Sequence, residues 1–99
     1  MIYRYPVGPE VVQITNAGKS GAMWLHEFKS SDKGLKEVYV YHSDLGKPSI
    51  ETILDNGKRL YTPKGNTDMM LFTPDNDFDA YYAVCRNAGD SVVIIVDEV

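Results

Sequence analysis

Thr73-Pro74-Asp75-Asn76-Asp77-Phe78-Asp79-Ala80-Tyr81-Tyr82-Ala83-Val84-Cys85-Arg86-Asn87-Ala88-Gly89 is the segment on which the fold class hinges. Thr73 can cap a helix, Pro74 suits the first helical position, and the acids suit the positive end of a helix dipole. Phe78, Tyr81, Tyr82 and Cys85 follow at i, i+3, i+4 and i+7, one helical stripe. Arg86 and Gly89 then suit a C-terminus. The expectation is one helix over about 74–88. The rival is a hairpin that pairs Ala80–Arg86 with Ser91–Val96, because Tyr-Tyr-Ala-Val-Cys also accepts a strand.

On the C-terminal side, Ser91–Asp97 is a continuous apolar run. Such a strand is buried on both faces, so it is central or covered by the helix. On the N-terminal side, short apolar segments alternate with Gly, Pro, Asn and Asp, the punctuation of many short strands. Val11–Thr15 and Ala22–Phe28 read as strands, and Ser30–Gly34 as a polar turn. Lys36–His42 alternates, with Val38 and Val40 on one face and Glu37, Tyr39 and Tyr41 on the other. Ser49–Leu54 and Lys58–Thr62 flank Asp55-Asn56-Gly57. Asn-Gly predicts a type I′ hairpin. After a turn at Pro63–Asn66, Thr67–Thr73 reads as another strand. The sequence therefore predicts an α+β fold, a single domain over 1–99. Five to six mostly antiparallel strands form a small sheet or open barrel, with the helix before the C-terminal strand. If the helix and its flanking strands share one sheet, Thr67–Val99 is a right-handed βαβ unit.

The 99 residues carry 43% hydrophobic and 24% charged side chains, ordinary for a globular domain. A lone cysteine, Cys85, allows no internal disulfide and fits a reducing compartment. The N-terminus lacks the apolar segment of a signal peptide, and the longest apolar run, Val92–Val96, is far too short to span a bilayer. The expectation is a cytoplasmic protein without a membrane partner. Charge is polarised along the chain. Gly65–Val99 holds seven acids against Arg86 alone, a formal −6, while the rest is +2 and the whole −4. That balance argues against direct nucleic-acid binding, which rests on cationic neutralisation of phosphates.

Most candidate sites fail on a specific residue. Gly18-Lys19-Ser20 resembles the end of a phosphate-binding loop, but Gln13 stands where the first glycine belongs. Asp75, Asp77 and Asp79 occupy positions 1, 3 and 5 of a calcium loop, yet Ala80 and Arg86 replace its glycine and its bidentate glutamate. His26 and His42 could hold a metal with Glu27 or Glu37 only if their strands pair. Cys85 with a histidine base would make a nucleophile, but it sits on an apolar stripe. No serine lies in a Gly-x-Ser-x-Gly context. No catalytic group, metal or cofactor is expected, and the chain does not read as an enzyme.

Two features remain. One is the acidic C-terminal third, with Asp75, Asp77 and Asp79 at its centre. The other is the supply of seven tyrosines, of which Tyr39 and Tyr41 are expected to form an exposed pair beside Glu37. The expected function is a small acidic interaction module, an inhibitor or adaptor that docks an acidic face on a basic protein surface. Small proteins of this kind are frequent among phage-encoded antagonists of host enzymes. The alternative is a homo-oligomer that sequesters a nucleotide or sugar. It would stack the ligand on Tyr39, Tyr41 and Trp24, and meet phosphate with Lys19, Lys29, Lys33, Lys36, Lys58 or Arg59.

Overall fold

The structure, a computed structural model, describes residues 2–15, 18–27, 36–62 and 68–98. The chain runs β1 (Ile2–Val7), β2 (Val12–Gln13), β3 (Gly21–Glu27), β4 (Lys36–Ser43), α1 (Ile50–Asn56), β5 (Lys58–Thr62), β6 (Asp68–Phe72), β7 (Ala80–Cys85) and β8 (Val92–Glu98). The strands form two four-stranded antiparallel sheets, in the orders β1-β8-β3-β6 and β2-β7-β4-β5. The α+β class holds, with eight strands among the described residues instead of five to six and two facing sheets instead of a barrel. The turns expected at Ser30–Gly34 and Pro63–Asn66 lie outside the described residues.

Residues 74–88 do not form a helix. Residues 75–78 turn, and Ala80–Cys85 is the strand β7. The hairpin alternative fails as well, because β7 pairs with β2 and β4 while β8 pairs with β1 and β3 in the other sheet. No βαβ unit forms for the same reason. The cause is burial on both faces of β7. Ala83 and Cys85 enter the core between the sheets, with Tyr81 packed against it, and Ala80, Tyr82 and Val84 enter a second cluster on the outer side. With every position apolar, a helical stripe can be drawn through a strand.

The core between the sheets takes the inward residues of seven strands. It includes Val7, Met23, Leu25, Val38, Val40, Leu60, Phe72, Val92, Ile94 and Val96. Val38 and Val40 thus face the core as their alternation predicts. β8 is an interior strand of its sheet, as its apolar run predicts. Gly21 makes the tightest approach between strands. A Cβ there would lie 2.5 Å from the Asp97 carbonyl oxygen.

The Asn56-Gly57 hairpin is replaced by α1. Ser49 caps the helix, its Oγ accepting the Thr52 N–H at 3.2 Å, and Glu51 lies in the first turn. Ile50, Ile53 and Leu54 fall at i, i+3 and i+4, and Ile53 is fully buried. Gly57 has φ −75°, so Asn-Gly supplies no positive-φ pair. Its N–H instead closes the helix on the Ile53 carbonyl at 2.7 Å. α1 lies on the outer face of the β2-β7-β4-β5 sheet, where Ile53 and Val11 cover Tyr39, Tyr82 and Val84.

Candidate functional site

Seven residues, 73–79, carry the chain from β6 in one sheet to β7 in the other. Asp79 clasps this crossing. Its side chain is turned inward, and Oδ2 accepts the Asp75 N–H at 2.6 Å. The Asp79 N–H donates to the Asn76 carbonyl at 3.3 Å, and Asn76 Oδ1 accepts the Phe78 N–H at 2.8 Å. Three bonds within five residues leave the turn one shape. Asp75 and Asp77 are exposed, and Phe78, which follows them, keeps 77% of its surface exposed.

The clasp is anchored from behind. Asp79 Oδ1 lies 3.4 Å from His42 Nε2 on β4. The His42 ring stacks on Tyr81 at 5.1 Å, and Tyr81 packs against Phe72 at 5.4 Å. The Tyr81 N–H donates to Thr15 Oγ1 at 2.8 Å. Gly18, at φ +79°, abuts Asp77. A Cβ there would lie 3.0 Å from Asp77 Oδ1 and in a strained backbone.

Most of the acids of the C-terminal third gather here. Gly21 pairs with both Phe72 and Glu98, so the ends of β6 and β8 flank the start of β3 at one level, and Ser43 opposite Ala80 brings Asp44 to the same end. Asp44, Asp75, Asp77, Asp79, Asp97 and Glu98 therefore share one end of the molecule. Asp68 and Asp90 lie at the other, where β6 begins and where the 86–91 turn precedes β8. Glu98 meets Lys19 at 3.8 Å. Leu45, 94% exposed, lies two residues beyond Ser43, as Phe78 lies two before Ala80. Both stand on turns that leave the same end of the β4–β7 pair.

The Asp75 amide holds the Asp79 carboxyl below the usual carboxylate range. The His42 ring and the Asn76 amide add to this, and burial works against it. Burial, reinforced by Asp79 and Asp75, pushes the Tyr81 phenol up. A depressed carboxylate pKa stabilises the fold above the unfolded value of 3.8, and this is lost as pH falls through the folded value. Asp79→Asn is therefore expected to flatten the acid limb of a urea-stability profile below about pH 4. An unchanged limb would mean that the clasp does not form.

Tyr39 and Tyr41 do not form the exposed pair. They share a face, but Tyr39 is 6% exposed beneath α1, and Tyr41 is half-buried opposite Tyr82 in register. Tyr39 does lie beside Glu37, its hydroxyl donating to Oε1 at 3.3 Å. The alternation showed which residues share a face. It could not show that a helix covers it. The two tyrosines thus belong to packing under α1, and the three aspartates to the turn.

Cys85 Sγ donates to the Val7 carbonyl at 3.3 Å, at the far end of β7 from His42. Ser43 Oγ donates to the Gly46 carbonyl at 2.8 Å and accepts the Leu45 N–H. Cys85 and Ser43 are thus bonded to backbone groups, not to the His42–Asp79 pair. The side chains of His26 and Glu27, and all of Lys29 and Lys33, lie outside the described residues. Among the described residues no three His, Cys, Asp or Glu side chains gather closely enough to hold a metal ion, and no helix is long and apolar enough to cross a membrane. An open groove of about 420 Å³ is lined by Glu10, Val11, Lys47, Pro48, Ser49 and Ile50, without any of the tyrosines or Trp24. Comparison with protein-family models, curated proteins and solved structures finds no match to this chain, so its function must be argued from its geometry.

Proposed function

We propose that this chain is a protein-docking module, an inhibitor or adaptor that seats its acidic end on a cationic surface of a partner. The observation that carries the reading is the clasped 73–79 turn, in which Asp75 and Asp77 are exposed and Phe78, next to Asp77, is exposed with them. An apolar aromatic anchor within a polar rim is the usual anatomy of a protein interface. A turn already fixed by Asp79 and Asn76 has little ordering entropy left to lose on binding. The surrounding carboxylates steer a cationic partner toward the anchor. The reading predicts a partner with an apolar pocket ringed by Lys and Arg.

The test begins with native mass spectrometry of the chain isolated from its source cells at low salt, which gives the partner's mass. The same complex is then titrated with Asp75→Lys/Asp77→Lys. Reversing two exposed charges is expected to weaken binding by about tenfold or more at low salt, and the deficit should shrink toward about 1 M salt, where the screening length is ~3 Å. A complex indifferent to both salt and charge reversal would rule the acidic end out.

A further inference from the structure

Leu45 lies outside the Asp79 clasp, yet of the large apolar side chains among the described residues it and Phe78 are the two most exposed. The same local device presents both. Ser43 Oγ accepts the N–H of Leu45 two residues on, as Asn76 Oδ1 accepts that of Phe78. A second bond closes each turn. Ser43 Oγ donates to the Gly46 carbonyl, and the Asn76 carbonyl accepts the Asp79 N–H. Gly46, at φ +92°, takes a backbone shape that other residues adopt only with strain. An exposed aspartate precedes each apolar residue, Asp44 before Leu45 and Asp77 before Phe78. The antiparallel register sets Ser43 opposite Ala80, so β4 ends and β7 begins at one level. Two residues of chain, at most about 3.4 Å each, on either side of a pair about 5 Å apart keep the Leu45 and Phe78 Cα atoms within roughly 20 Å. One partner covers about 800 Å² in an interface of ordinary size, wide enough to take in both.

We infer that Leu45 is a second docking anchor, so that the acidic end seats Leu45 and Phe78 in two apolar pockets of one folded, cationic protein. This rests on the docking function proposed above and adds to it the second prong and the form of the partner. A single exposed leucine is ordinary at a protein surface. Two large apolar side chains on like-built turns at one end, each next to an exposed carboxylate, form a pattern that core packing does not require. Both turns are fixed before contact, so neither anchor loses much ordering entropy on binding. Charge selects the occupant. Asp44, Asp75 and Asp77 are exposed at this end, Lys19 faces Glu98, and Lys47 lies beyond Gly46 in the groove with Glu10. Nucleic acid and anionic lipid are repelled by such a surface. A second copy of the chain would set the same carboxylates against themselves, whereas a basic protein surface gains from each of them. Two anchors on separate loops also need pockets held at a fixed spacing, which a folded surface provides and a short disordered segment does not.

The test places an apolar, photo-activated diazirine amino acid in the full chain, in its source cells, in place of Leu45, of Phe78 or, as a control, of Ala88. Ala88 is exposed on the turn between β7 and β8, at the opposite end. Light should join the first two positions to one and the same polypeptide, and the control should not join to it. With that polypeptide purified, Leu45→Ala should weaken binding by about tenfold in surface plasmon resonance. Its melting point should stay that of the wild type, because the Leu45 amide bond to Ser43 survives truncation. Capture at only one of the two positions, capture of different polypeptides, or Leu45→Ala binding within about twofold of wild type would overturn the second anchor and leave docking by the acidic end standing. No capture at either position would overturn both. Capture of a second copy of this chain, of nucleic acid or of lipid would overturn the assigned partner.

Discussion

Replacing Ile53 by alanine is expected to cost about 3 kcal/mol, a large share of the roughly 5–15 kcal/mol that holds a domain together. Ile53 has no exposed surface, and it is the side chain that α1 drives between Tyr39, Tyr82 and Val84. A helix of seven residues is too short to persist by itself in water, so α1 exists because it is docked. Truncating its anchor creates a cavity and also weakens the helix, and the two losses reinforce each other. Urea unfolding should show the loss. The near-ultraviolet signal of Tyr39 and Tyr82 should fade before the β signature of the sheets, because the inner core does not include Ile53. A stability within about 0.5 kcal/mol of wild type, the range of ordinary surface substitutions, would mean that α1 does not seal this face.

What could be read from the sequence followed from how many faces each strand buries. β4 has unlike faces, and its alternation placed Val38 and Val40 correctly in the core. β8 is an interior strand and announced itself as a continuous apolar run. β7 is buried on both faces too, but its run of Ala80, Tyr81, Tyr82, Ala83, Val84 and Cys85 follows a strong helix-start signal at Thr73-Pro74. That signal was real chemistry put to another use. Of the acids that suit a helix N-terminus, Asp79 here accepts an amide proton inside a turn, as does the Asn76 side chain. At 49–57 the competition ran the other way. The Asn56-Gly57 pair outweighed a correct helical spacing of Ile50, Ile53 and Leu54 behind a serine cap. β1 carries its own period-two pattern, with Tyr3, Tyr5 and Val7 more buried than Ile2, Arg4 and Pro6. Pro6 is tolerated because β1 is an edge strand.

The candidate site was legible only in composition. The acidic bias of the last third located the turn, but no spacing rule distinguishes Asp79 from Asp75 and Asp77. Its inward turn meets His42, which reaches it from β4, while Thr15, after β2, holds the Tyr81 amide two residues further on. The alternation of β4 predicts an exposure for Tyr39 and Tyr41 that packing with α1 removes. Phe78 falls on the helical stripe in sequence and is instead a strongly exposed turn residue in the structure. That inversion follows from the helix-to-turn correction, since a turn residue has no stripe to join.

Phe78→Ala is the sharpest test of the proposed docking surface. The Phe78 amide bond to Asn76 belongs to the backbone and survives truncation, and the exposed ring contributes little to the core. Stability should therefore stay within about 0.5 kcal/mol of wild type. Binding to the partner should fall by about 30-fold or more, the signature of losing a central aromatic anchor of about 2 kcal/mol. The contrast with Asp75→Lys/Asp77→Lys separates the two parts of the surface. Charge reversal acts through steering, so its effect lies largely in the association rate and fades with salt. Loss of the anchor acts through desolvated contact, so it should appear in the dissociation rate and persist at high salt. Surface plasmon resonance at two salt concentrations reads both. If Phe78→Ala binds within about twofold of wild type while charge reversal abolishes binding, the partner reads the carboxylates alone, as a mimic of a phosphate chain would be read. If both variants bind normally, docking is not centred on the 73–79 turn.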